Sequence, residues 1–409
     1  MTPGLGRRIG FTLGALLVYR LGLLIPLPGI DHSVWEQLFR SQAGGVLGAF
    51  NVLSGGVIQR LSILALNVFP YLSAAVLIQL MTTVGPQFGR LKKEGRQGRT
   101  VTDQYTWYLT VLLAVFQSYG IAIGLEGAGR IVSDPGWMFR ISTTITLTGG
   151  TMFLMWLCDL IRARGVGHGL SLILCLGIVV EVPAGIAGVL ELFRQGVFSQ
   201  RAIVLMGLIA VCLTALIALV ERARRRLPVT FPNHQAGRPA VDAELSLKLN
   251  SAGALIPTWL ASLSLSLLYF VVSIVPGLEE RSGFLVDQFA HRGPLFLAFY
   301  ALLIFVFVLL YTAFVLSPDD TARALEKHGG RLTGAEPGEA TAAALDRIFS
   351  RITLIGAAYL VLVCLVPEIL VAYMGVPFYF GGASLLIVVC TVLDLDDELR
   401  AAGMRKSRG

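Results

Sequence analysis

Residues 50–80, FNVLSGGVIQRLSILALNVFPYLSAAVLIQL, decide how this chain is to be read. The first half, 54–66, is apolar but short of the ~20 helical residues needed to cross a hydrocarbon core about 30 Å thick. It opens on Ser54-Gly55-Gly56 and carries Arg60, then runs through Asn67 and Pro70 into a second apolar stretch long enough to span. Irregular backbone at membrane depth survives only where it is buried in protein or lines a watery cavity. Two readings follow: a helical hairpin with a kinked second arm, or a short re-entrant helix inside a pore.

The rest of the chain sets the class. Hydrophobic residues make up 55% of the 409 and charged residues only 14%, with a mean hydropathy of +0.72. Soluble domains carry about a quarter charged residues, so this composition excludes them and points to a polytopic helical membrane protein. Ten spans are expected, at 9–27, 67–85, 104–124, 141–161, 170–190, 201–220, 254–275, 294–316, 351–371 and 381–395. The last is the weakest, since it is short and runs into Asp394, Asp396 and Asp397. The first apolar run lacks a small-residue cleavage site and reads as a span rather than a signal peptide.

Orientation follows from lysine and arginine, which favour the cytoplasmic side. With the N-terminus inside, 24 of the 33 basic residues fall in inner segments and eight in outer ones, with Arg20 inside the first span. An even number of spans then places both termini in the cytoplasm. All five cysteines lie in expected spans, where they read as small apolar packing residues rather than disulfides or metal ligands. The five histidines are scattered, and neither a phosphate-cradling glycine loop nor a nucleophile elbow is present. No enzyme activity, cofactor or metal site is expected, and the energy for any transport must come from a partner or a gradient. Two inner loops, 221–253 and 317–350, are longer than links between packed helices usually are. Their basic stretch ERARRRLPVTFPNHQAGRP suits anionic lipid, and equally an acidic partner or ribosomal RNA.

Eight blocks in register carry a resemblance. FTLGALLVYRLGLLIPLPGID, the 50–80 stretch, LKKEGRQGRTVTDQYTWYLTVLLAVFQS, LTGGTMFLMWL, RGVGHGLSLIL, VERARRRLPV, PGEAT and YFGGASLLIVVCTVLDL resemble the SecY family of protein-conducting channels, from about residue 5 to 395. The resemblance implies an all-α fold of ten transmembrane helices in two inverted five-helix halves, 1–200 and 201–400, followed by a short cytoplasmic tail at 401–409. It makes 54–66 a plug helix, with Ser54, Gly55, Gly56, Arg60, Leu61 and Leu64 as its marked positions. The implied pore ring is Val68 and Leu72, Leu170 and Leu174, Trp259, and Ile387. Residues four apart stack on one helical face, and an aliphatic ring can exclude water yet yield to an extended polypeptide. The family favours an aliphatic residue where Trp259 stands, and an indole is expected to narrow the pore.

The implied lateral gate includes Gln79 on the second span and Ser262, Ser264 and Ser266 on the seventh. Through it a hydrophobic signal helix partitions into lipid. Ordinary hydrogen bonding between helices is the other reading of those polar residues. The implied motor or ribosome contacts are Arg222, Arg224, Arg225, Arg226, Arg238, Lys248, Lys327, Arg331, Glu336 and Arg351. Glu336 replaces the family's arginine before PGE, His168 its usual asparagine, and Glu181 is an unexpected acid in the fifth span. These departures suggest a divergent or accessory copy. Implied partners are SecE and SecG as a heterotrimer, SecA or the ribosome, secretory preproteins with signal sequences, and anionic lipid, all at a bacterial inner membrane. The alternatives are a non-conducting, insertase-like partner and a small-solute secondary transporter, which should show paired broken helices with carboxylates at the midplane.

Overall fold

The computed structural model describes residues 4–31, 33–37, 61–84, 96–127, 131–231, 241–250, 255–274, 293–327, 329–333, 336, 338–374 and 381–407. Among the described residues, besides a short helical turn at 33–37, eleven longer helices and three short strands follow in chain order: α1 (Leu5–Gly22), α2 (Phe69–Val84), α3 (Arg96–Gly127), α4 (Trp137–Arg164), α5 (Gly169–Arg194), α6 (Gln200–Arg222), β1 (Arg224–Phe231), β2 (Val241–Lys248), α7 (Leu255–Ile274), α8 (Pro294–Val315), α9 (Pro318–Lys327), β3 (Arg331–Leu332), α10 (Glu339–Met374) and α11 (Gly382–Ser407). Each expected span contains one helix, and α9 is an added amphipathic one. Asp319 and Asp320 in its first turn and Lys327 in its last complement the helix dipole.

Among the described residues, six helical stretches are long and apolar enough to cross a membrane, and Phe69–Thr82 and Ile256–Leu265 are shorter apolar helices. Two ends differ from the expected spans. The first helix stops at Gly22 rather than at 27, because Leu23–Ile30 turn back to pair with other segments. The last runs unbroken to Ser407, so its acidic run is helical rather than a terminator.

Packing divides the chain into two compact units, Met1–Ser199 with Val376–Gly409, and Gln200–Gly375. The tenth span therefore packs with the first five: α11 lies against α5, and the Thr391 hydroxyl donates to the Ser171 carbonyl at 3.4 Å. In this unit α3 also packs on α2 and α4. The α3–α4 connection is closed by Glu126, which accepts from the Gly136 N–H at 2.8 Å and the Arg140 Nε at 2.7 Å. A core of Leu27, Ile30, Trp35, Leu61, Leu66, Ala122, Leu125, Ile131, Val132, Phe139 and Leu147 fills the same end.

In the other unit, α8 packs on α7 and α10. The two long loops fold together there, which composition did not foretell. Strands β2-β1-β3 form an antiparallel sheet with Arg224 opposite Lys248 and Val229 opposite Leu332. Leu227 and Val229, two apart on β1, turn inward onto Ala322, Leu332, Leu345 and Phe349. The 36 residues of α10 are far more than a crossing needs, and its first turns belong to this platform.

Candidate functional site: a seated non-helical segment and the α5–α11 helix pair

The short segment that opened the reading is not a helix where it is described. Residues 61–68 run as successive turns, so the expected helix over 54–66 is corrected for its last six positions. Ser54, Gly55, Gly56 and Arg60 lie outside the described residues. The reason is where the backbone bonds go. Leu27 N–H donates to the Leu61 carbonyl at 2.9 Å, and Ile63 N–H to the Ile25 carbonyl at 3.0 Å, so the chain pairs laterally instead of coiling. Leu61 and Asn67 have positive φ, 43° and 48°, a conformation that costs a leucine about 1–2 kcal/mol and an asparagine less. Burial of Leu61 and Leu64, at 3% and 1% exposure, offsets that strain.

The other side of the seat is α4. Gly150 lies so close that a Cβ there would fall 2.2 Å from the Ile63 carbonyl oxygen, and its neighbour Thr151 donates to the Asn67 carbonyl at 3.2 Å. Asn67 turns its own Oδ1 onto the Val68 N–H at 2.9 Å, just ahead of α2. The segment is thus held by backbone and polar contacts on two sides, with apolar side chains filling beneath.

The expected ring positions distribute as follows. Val68, Leu72, Leu174 and Ile387 are buried, Leu170 is half-buried, and all five belong to the first unit. Leu72 sits one turn beyond Val68, its N–H donating to the Val68 carbonyl. Packing brings α5, with Leu170 and Leu174, beside α11, with Ile387. Trp259 belongs to the second unit, on α7, buried and with no hydrogen-bond partner for its indole N–H among the described residues. The start of α5 is fixed by Gly169, whose Cβ would lie 2.4 Å from the Cys158 carbonyl oxygen, so α4 and α5 touch backbone to backbone. Ahead of it Gly167 takes φ +89°, and its N–H donates to Glu398 of α11 at 2.8 Å. Desolvation, then the Arg162 guanidinium, hold the His168 imidazole below its ordinary range, and Arg162 lies 3.2 Å from its Nε2.

Of the expected gate residues, Gln79 is half-buried on α2. Ser262 and Ser264 donate back to the Thr258 and Leu260 carbonyls of their own helix at 3.0 and 2.8 Å, a bonding mode serine adopts in apolar helices. The Ser266 side chain is outside the described residues, as is Arg238. Arg222, Arg224, Arg225, Arg226, Lys248, Lys327, Arg331, Glu336 and Arg351 are all exposed. Arg226 pairs across the hairpin with Glu244 at 3.2 Å, and Arg224 and Arg225 are exposed beside it. Arg20 is half-buried, with one guanidinium nitrogen buried in protein, as an intramembrane charge requires.

Two features escaped the sequence reading. Glu368, beside Pro367 on α10, is a further acid within an expected span, 3% exposed. The role of Gly150 was not seen either, although the Gly-Gly pair in LTGGT was its only visible signal. Among the described residues no cluster of His, Cys, Asp and Glu suits a metal ion.

Comparison with known proteins agrees with this geometry. The SecY family model matches residues 62–395. The protein translocase subunit SecY of Escherichia coli K12 is 42% identical over 98% of this chain and 93% of its own length. That of Vibrio cholerae is 40% identical over 95% and 89%. Among solved structures, a protein-conducting channel superposes with a TM-score of 0.66 at 15% identity over 98% of this chain and 94% of its own. Sec61 in a canine ribosome–channel complex gives 0.64 at 14% identity, over the same share of each. A ten-helix channel fold and a full-length sequence match leave one conclusion: this chain belongs to the SecY family.

Proposed function

We propose that this chain is the channel-forming subunit of a protein translocase of a bacterial inner membrane, passing unfolded secretory preproteins through an apolar ring. The observation that carries the reading is the family match across residues 62–395. Val68, Leu72, Leu170, Leu174, Ile387 and Trp259 make the ring, aliphatic except for the indole. The turn residues 61–66 belong to the plug that closes it. Gln79 and the α7 serines line a lateral gate, from which a signal helix leaves for lipid along the gradient of apolar transfer.

The folded platform of β1, β2, β3 and α9 is the cytoplasmic docking surface, and both termini share its side. Two neighbours in fold are ribosome-bound channels, Sec61 and the yeast Ssh1 complex, which supports a ribosome at this surface. SecA is the other driver, with SecE and SecG completing the trimer. An exposed Glu336 beside Arg331 favours a second reading, an accessory copy with its own driver, since that position repels an acidic partner group. A cysteine crosslinker at Leu72 tests the conducting role. With a stalled secretory chain engaged, Leu72→Cys crosslinks to the nascent chain, while an exposed site such as Leu208→Cys on α6 does not. No crosslink at Leu72 with the chain bound would favour the non-conducting partner.

A further inference from the structure

The basic hairpin leaves and rejoins the helices at a single carboxylate. Glu221 is the penultimate residue of α6, and its Oε1 accepts the Asn250 Nδ2–H at 2.8 Å and the Tyr359 hydroxyl of α10 at 3.3 Å. The base of the hairpin is closed alongside, where Leu249 N–H donates to the Ala223 carbonyl at 3.2 Å. Gly356, one turn before Tyr359, makes room, since a Cβ there would lie 3.1 Å from the Leu249 carbonyl oxygen. Asn250 stands five residues before α7 begins. Glu221 thus ties Asn250, the residue by which the hairpin leaves toward α7, to Tyr359 of α10.

Asn250 is 4% exposed, and its Oδ1 meets no protein donor among the described residues, so its hold on Glu221 through Nδ2 is the side-chain bond that fixes it.

We propose that Glu221 is a positioning residue that couples the docked hairpin to α7, the helix that carries Trp259 and the gate serines. The inference rests on the reading of the platform as a docking surface. Its test uses the complex with its partner subunits in nanodiscs, with an environment-sensitive fluorescent amino acid installed at Ser262 and purified ribosomes as the ligand. Ribosome binding and the emission change are recorded separately. In the unmodified complex binding shifts the emission. Glu221→Leu leaves the Kd within about twofold but cuts the emission response at least ~fivefold, the scale of losing hydrogen bonds to a charged group. Glu221→Gln keeps an Oε1 acceptor and restores most of the response, and Tyr359→Phe lies between.

A full response in Glu221→Leu would overturn the coupling. So would a parallel loss of ribosome binding in Leu and Gln variants alike, which would make Glu221 a builder of the hairpin. Failure of ribosomes to bind the unmodified complex would overturn the docking reading, and the coupling with it.

Discussion

Replacing Gly150 by valine is expected to open the resting channel to ions. The Cβ would need to occupy space 2.2 Å from the Ile63 carbonyl oxygen, and that neighbour is backbone, not the end of a flexible side chain. The α4 helix is pinned by its contacts with α1, α3 and α5, so the turn segment yields instead. Overpacking of this kind costs about 1–3 kcal/mol, and each 1.4 kcal/mol shifts a two-state balance tenfold. The Thr151–Asn67 bond is strained by the same movement. Single-channel or vesicle flux measurements should show resting conductance raised about tenfold or more, with the helical fold kept. Gly150→Ala should lie between valine and the unmodified chain. Unchanged conductance in a folded Gly150→Val channel would show that the 61–68 seat does not seal the path.

The second large effect concerns stability. Gly169→Val places a branched side chain where Cβ alone would sit 2.4 Å from the Cys158 carbonyl oxygen, 2.7 Å from its Cα and 2.9 Å from its carbonyl carbon. Helices in lipid gain little from hydrophobic sequestration and associate through close packing at small residues. The α4–α5 contact can be relieved only by separating the two helices, which also disturbs the packing of α5 on α11. A loss of ~3 kcal/mol or more is expected, read as a markedly lower thermal midpoint of the detergent-solubilised complex. An unchanged midpoint would mean that α5 is positioned by its other neighbours. Because Leu170 and Leu174 ride on α5, whatever survives should also translocate poorly.

Much of this architecture is legible in the sequence because the bilayer leaves few options. Runs of about 20 apolar residues must be helices, since only helices and closed barrels satisfy the backbone in lipid. Each of the ten expected spans accordingly holds a helix. Outside lipid the pattern is harder to read. In RRRLPVTF the alternation of Leu227, Val229 and Phe231 signals a strand, yet a basic run precedes it and Pro228 interrupts it, and proline ordinarily argues against a central strand. The third strand, β3, and the apolar face that β1 covers are distant in sequence, so the platform read as two unrelated loops.

The turn segment at 61–68 escaped for the same reason. Its lateral hydrogen bonds run to Ile25 and Leu27, and nothing local in LSILALNV records them. Residue roles divided in the same way. That Leu170 and Leu174 share one helix face follows from their spacing, whereas their place in a ring came only from the family resemblance. The close approaches at Gly150, Gly169 and Gly356 depend on what lies across the gap.

The central claim, that this chain conducts preproteins, is tested most directly by protease protection of a secretory precursor in liposomes. These hold the chain with SecE and SecG and are driven by SecA and ATP, with a Glu336→Arg variant alongside. The conducting account predicts that precursor becomes protected in an ATP-dependent way, in the unmodified chain or, if Glu336 has displaced the ordinary motor, in the variant. Precursor left accessible in both, with the complex assembled and SecA bound, would contradict it.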